Sequence, residues 1–309
     1  MTDTFGTDNT DSRQYISAKT PSYLPSDMVK HIPPAIKQLL TLRNPEAWPS
    51  PPIERLHRVF ARTLSEAKQL NAETGWLVLS TCTLLTTNRP SAVGYLYRFA
   101  TRGDPGSAET RRNLEDAISR AAVMREAALK SVVFVGVPRT ILSLASLREA
   151  VEDDVYAALR KHVIRDAKPQ NIEATIERGM ALWKSIYEPH AVKLYNKLGD
   201  LHPDFIAFII QAYGTVLSPL PRGQLEQGNL TRALGSVVGI ATLRAQGRVG
   251  PQLTSHVFGL LKARYEKDLN EEDKFLSSDE GTEWVIRKVD EIVDAVTADM
   301  QDTQARVKL

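Results

Sequence analysis

One cysteine, Cys82, occurs in 309 residues. A single thiol excludes an intramolecular disulfide framework and suits a reducing compartment. Runs of about 18 uninterrupted apolar residues are missing, so no membrane-spanning helix is expected. The chain has neither a dense basic run nor a strong excess of one charge. Its formal net charge is +2, which argues against a nucleic-acid partner and against a membrane-surface helix. P-loop, GxGxxG and G-x-S-x-G patterns are absent. The histidines His31, His57, His162, His190 and His202 show no metal-ligand spacing and are read as surface or packing residues. No metal and no cofactor is therefore expected. The first residues, MTDTFGTDNTDSRQY, lack an apolar h-region and match neither a signal peptide nor a mitochondrial presequence.

What is present is helical periodicity. Residues 1–23 form a polar tail expected to be disordered, and the proline-rich stretch from Pro25 to Pro34 reads as an extended lead-in. From Ala35 onward, apolar residues recur at three- and four-residue spacing, as in Val133, Ile141, Leu144, Leu147 and Val151. Leu129–Val137 is valine-rich enough to resemble a strand, but with no partner strand it reads as a buried helix ending near Gly136. Loops are marked by proline and glycine at Thr101–Thr110 and Ser218–Gly228. The last helix is expected to end near Thr297, leaving residues 298–309 as a tail.

The chain also echoes itself. Ala35-Ile36-Lys37, a loop with Pro45 and a helix to Phe60 parallel Ala191-Val192-Lys193, a loop with Pro203 and a helix to Val216. Gly136–Val151 parallels Gly281–Val296 without a gap. The expected organisation is all-α, with a first repeat over 24–165 and a second over 166–297.

Several motifs carry a family resemblance. Glu126-Ala-Ala-Leu-Lys130, then Phe134 and Gly136-Val-Pro138, resembles an E-x-x-L-Q helix, an aromatic residue and a G-x-P turn. Arg178-Gly-Met-Ala-Leu-Trp183, the helix from Asp204 to Gly214, Leu230-Thr-Arg232 and Leu253-Thr-Ser-His256 are similar to the remaining signatures in the same order. These motifs resemble the carboxymuconolactone decarboxylase-like, or AhpD-like, family. The resemblance covers much of 126–261, and the internal repeat extends it to about 35–296. Lys130 and Phe134 stand where the family has glutamine and tyrosine.

The resemblance implies an AhpD-like helical fold in two tandem repeats. It also implies a cofactor-independent lyase or isomerase acting on a small carboxylate or lactone. His256 stands at the family's histidine and is the first candidate for a general acid/base. Arg232 stands at its arginine and could hold a carboxylate, with Glu126 and Tyr213 as further candidates. The positions matching the C-x-x-C motif hold Val249 and Gln252, so a CxxC-type peroxidase is not expected. In the first repeat the histidine position falls on Leu96 or Tyr95.

Each candidate has a structural alternative. His256 reads equally as an interhelical histidine, Arg232 as a cap or bridge, Glu126 as the partner of such an arginine, and Tyr213 as packing. Cys82 reads as a small buried hydrophobe. The second functional expectation is accordingly a non-catalytic scaffold or partner-binding protein. A homo-oligomer is expected from the family's habit of assembly. The terminal Val307-Lys308-Leu309 resembles a peroxisomal address, although Val307 departs from the usual small residue. Similar two-unit fungal proteins include peroxisomal ones. Localisation is thus expected to be peroxisomal, through the import receptor, and otherwise cytoplasmic.

Overall fold

The computed structural model describes residues 31–42, 46–221, 223 and 226–307, with 299–307 as backbone alone. The expectations for residues 1–23, for most of the Pro25–Pro34 lead-in and for the terminal Lys308-Leu309 lie outside the described residues. The chain divides into two compact units, Met1–Glu46 and Ala47–Leu309. The first contains one described helix, α1 (Pro34–Leu40), with proline in its first turn, where the missing N–H costs nothing.

The second unit carries α2 (Ile53–Gln69), α3 (Glu73–Thr86), α4 (Pro90–Thr101), α5 (Leu114–Val135), α6 (Val137–Ala150) and α7 (Asp153–Ala158). It continues with α8 (Ile172–Tyr187), α9 (Ala191–Leu201), α10 (Phe205–Ala212), α11 (Arg232–Gln246), α12 (Gly250–Lys262), α13 (Glu271–Leu276) and α14 (Asp279–Val307). Among the described residues no strand occurs, only an isolated bridge between Arg102 and Arg111. The all-α expectation holds.

Helix α2 is amphipathic and buries Leu56, Val59, Phe60, Thr63, Leu64 and Ala67 at helical spacing. Helix α3 is buried on every side from Gly75 to Thr86. Buried hydroxyls are costly there; Thr81, Thr83 and Thr86 each donate to the carbonyl four residues back, at 2.7 Å, while Ser80 Oγ has no partner among the described residues. Cys82 shares this environment, fully buried, and burial pushes its thiol up to about 12. It is the packing residue expected.

Asn113 caps the start of α5 by accepting from the backbone N–H groups of Glu115 and Asp116. Gly136 ends it at φ +82°, a conformation glycine adopts without strain, and Pro138 opens α6. The valine-rich segment is therefore a helix end, as expected from its neighbours, but a half-buried one: Val132, Val133 and Val135 are partly covered and Val137, 57% exposed, faces water.

Helices α3 and α11 pack against each other at the centre; α3 also packs on α14 and α11 on α5. A single hydrophobic core joins Leu56, Trp76 and Met124 to Val237, Trp284 and Ile292. The position near residue 166, where the sequence places its repeat boundary, falls inside this second unit. A smaller apolar cluster gathers Trp183, Ile186, Ile206, Ile210, Tyr213 and Leu217 from α8, α10 and the π-helical turn 213–217. Its helices cross backbone to backbone. A Cβ on Gly179 would lie 2.0 Å from the Ile210 carbonyl oxygen, and one on Gly214 1.8 Å from that of Thr175. No side chain fits at either position.

Two helical pairs share an outline. α3–α4 and α11–α12 are each joined through a residue at positive φ (Asn88 at 55°, Arg248 at 59°), and each second helix opens with a proline in its first turn. Counting from the residues that precede α4 and α12, Arg89 against Val249, puts Leu96 in register with His256 and Leu79 in register with Gly239.

Two details differ from the sequence reading. Gly136 terminates a helix whereas Gly281 lies within the first turn of α14, against the Phe275 carbonyl, so the apparent match of Gly136–Val151 to Gly281–Val296 joins unlike environments. Helix α14 also continues to Val307, beyond the Thr297 at which a tail was expected. Polarity suggested the end there, but no glycine or proline follows Gly281 to stop the helix.

Candidate functional site

His256 projects from α12 onto α11, and the space for its ring exists because residue 239 is glycine. A Cβ there would stand 2.5 Å from the imidazole Nδ1. The edge of Phe134, from α5, meets the ring with centroids 5.1 Å apart and planes at 82°. His256 is 4% exposed, and its Nδ1 is buried with no hydrogen-bond partner. Burial lowers its pKa from 6.5 to about 4, and the charge of Arg232 pushes the same way. The ring is neutral at pH 7.

Arg232 begins α11 beside it. Its Nε donates to Ser185 Oγ at 3.0 Å, one terminal nitrogen to Ser236 Oγ, and the other to the Gly259 carbonyl at 3.2 Å. The guanidinium fork is thus engaged by α8, α11 and α12, which is the bridging alternative. Arg232 and His256 line one void with Leu182, Ile186, Leu217 and Ser236, of about 10 Å³. That is close to the smallest space able to hold one water molecule.

Tyr213 is buried at the start of the π-helical turn, its hydroxyl 3.0 Å from that of Tyr187 and its ring beside Trp183. Burial raises its pKa well above the ordinary value, and Tyr187 adds to the rise while Arg232 opposes it.

Glu126 stands apart, in a different cleft of about 130 Å³ with Arg125, Leu129 and Arg160. It forms a two-pronged ion pair with Arg165, and Lys130 Nζ lies 3.5 Å away. Arg165 also donates to the Thr215 carbonyl at 2.9 Å. Lys130, fully buried, donates to the carbonyls of Val216, Leu217 and Ser218 at 2.7–2.8 Å. Burial lowers its pKa to about 8, against the opposing pull of Glu126. The cluster fastens the carbonyl end of turn 213–217 to α5, where cations are favoured. Lys130 thus caps this turn, and Phe134 packs on His256.

Of the four candidates, the fold brings together His256 and Arg232, sets Tyr213 in the adjoining apolar cluster, and places Glu126 in a separate ion-paired cleft. The larger concavities lie elsewhere. One of about 840 Å³ is lined by His57, Arg58, Tyr95, Arg98, Asp104 and Glu149, with His57 Nδ1 3.3 Å from the Tyr95 hydroxyl. Another of about 380 Å³ lies among the end of α8, α9 and α12. In the same register, Tyr95, Arg98 and Arg102 of the first groove correspond to Ser255, Phe258 and Lys262 of the second. Sequence reading passed over both, because each groove forms only where helices remote in the chain meet.

Among the described residues, no helix is long and apolar enough to cross a membrane. No known family profile and no solved structure matches the chain. It is 28% identical over 170 residues to Peroxisomal protein 2 of Saccharomyces cerevisiae. The match covers 48% of this chain and 56% of that protein, so the chain spans little more than half the length of this curated relative.

Proposed function

We propose that the chain is a two-repeat, carboxymuconolactone decarboxylase-like protein whose ancestral site has closed, and that it works by binding rather than by catalysis. The observation that carries this reading is the void of about 10 Å³ between His256 and Arg232. A carboxylate or lactone does not fit a space of one water molecule, and the arginine that would hold it is engaged by Ser185, Ser236 and Gly259. The common outline of α3–α4 and α11–α12 supports the repeat, and Leu96 opposite His256 supports the loss of one of two equivalent sites.

A second reading, a cofactor-independent lyase or isomerase on a small carboxylate or lactone, draws support from the unpartnered Nδ1 of a neutral histidine beside a cation. One experiment separates the two. The protein is incubated with a panel of small β-keto and lactone carboxylates, and conversion is followed by NMR beside the His256→Ala variant. Binding function alone predicts no turnover above that control, whereas turnover abolished by His256→Ala would establish the lyase.

The relative's name supports a peroxisomal location, which an N-terminal fluorescent fusion scored against a peroxisomal marker checks; a diffuse signal speaks against it. Exposed Val192, Leu201, Phe205 and Phe208 on α9 and α10 support self-association. Light scattering of the purified chain decides this, a monomer at all concentrations being the adverse result.

A further inference from the structure

The groove of about 380 Å³ combines an apolar floor with unopposed positive charge. Its floor and walls include Ile186, Tyr187, Leu194 and Phe258. Phe258 is 55% exposed, a large aromatic face left to water. Along one side His190, Lys193 and Lys197 follow at three- and four-residue spacing, so they share one face of α9 and its approach. Lys193 and Lys197 are exposed. Neither has a carboxylate within ion-pair distance among the described residues, and like charges one turn apart repel. Across the groove, Lys262 of α12 is held in place by the carbonyls of Ile186 and Glu188, each at 2.6 Å. Glu188 is the one acidic residue in the lining. The larger groove differs: its lining holds Glu54, Asp104 and Glu149 as well as Arg58, Arg98 and Arg102.

We propose that the α8–α9–α12 groove binds an amphipathic organic anion, its acidic head between Lys193 and Lys197 and its apolar body on Tyr187, Leu194 and Phe258. Lysine is a point charge without the planar fork of arginine, so carboxylate and phosphate heads are both compatible with it. The volume falls at the lower end of the roughly 300–1,000 Å³ of small-molecule pockets. The apolar floor supplies binding free energy, and the lysines select the anion. This inference does not depend on whether the space at His256 is closed.

The test uses the full chain and 8-anilinonaphthalene-1-sulfonate, a fluorescent anion with an aromatic body. The wild-type protein binds it saturably, and dodecanoate or dodecyl phosphate displaces it while dodecanol does so poorly. Lys193→Glu/Lys197→Glu weakens binding about tenfold or more through the loss of two charge-assisted contacts. Lys168→Glu/Lys274→Glu makes the same change in net charge on exposed residues outside the groove and leaves affinity unchanged. All four lysines are exposed, and an unchanged melting temperature confirms that the variants fold. Absence of saturable binding, equal weakening by the control pair, or displacement by dodecanol as effective as by dodecanoate would overturn the proposal. The head group that displaces at lower concentration separates carboxylate from phosphate. His256→Leu retains dye binding whichever reading of that residue is correct.

Discussion

The pairs α3–α4 and α11–α12 are built to one outline and filled differently. Each is a long buried helix, a residue at positive φ, and a second helix opened by proline. At the position opposite His256 the first pair has Leu96, fully buried, and opposite Gly239 it has Leu79, also fully buried. Both positions of the first pair are filled by apolar side chains. A glycine and a histidine occupy those of the second, leaving a polar atom without a partner and a void of about 10 Å³. Similar helix pairs thus accommodate both an apolar filling and a buried polar ring, and the identity of two residues decides which.

The largest effect expected from exchanging these fillings is Leu96→His, which puts an unpartnered imidazole where no glycine makes room. A loss of about 3–5 kcal/mol in urea unfolding is expected. A loss under about 1 kcal/mol would mean that the two sites are interchangeable.

Next comes the acid response of His256. Its pKa is lowered on folding, so the unfolded chain binds the extra proton between pH 6.5 and about 4. Stability is fully present above pH 6.5 and declines by about 3 kcal/mol as the pH falls through that window. The His256→Leu variant should lose this part of the acid sensitivity when unfolding is measured at several pH values. An identical pH profile in wild type and variant would show that the imidazole is not desolvated.

Gly239→Leu, with His256 kept, overfills the space and should cost about 1–3 kcal/mol. Adding His256→Leu recreates the leucine pair of the first site, and part of that loss should return. Strict additivity of the two changes in a double-mutant cycle would break the comparison.

The smallest effect concerns the grooves. Removing two exposed carboxylates by Glu54→Gln/Glu149→Gln should change stability by under about 0.5 kcal/mol. It should nevertheless give the first groove anionic-dye binding that wild type lacks there, measured in the Lys193→Glu/Lys197→Glu background. No gain would show that excess charge alone does not make the second groove selective.

The all-α class was legible because apolar spacing in the long segments follows the helical period, and Gly136-Val-Pro138 marked a helix junction that the fold keeps. Motif order singled out His256 and Arg232, which line one void in the fold, and Glu126 is paired with an arginine, Arg165, that the sequence did not single out. The end of α14 was less legible, since a polar tail and an exposed helix have similar composition. The apparent match of Gly136 to Gly281 hid a difference for a related reason: amphipathic helices after a glycine look alike in sequence, while Gly136 stands at positive φ between two helices and Gly281 lies inside the first turn of one.

From the sequence alone follow the helical periodicity, the lack of paired thiols, and the residue types available at the candidate site. These depend on local spacing and on chemistry carried by single side chains. Tertiary structure decided that Glu126 clamps a turn with Lys130 and Arg165, that Leu182, Ile186 and Leu217 close the space at His256, and that α9 gathers unopposed charge over an apolar floor. Those properties depend on volume, desolvation and charge balance among residues remote in the chain, which exist only once the helices have packed.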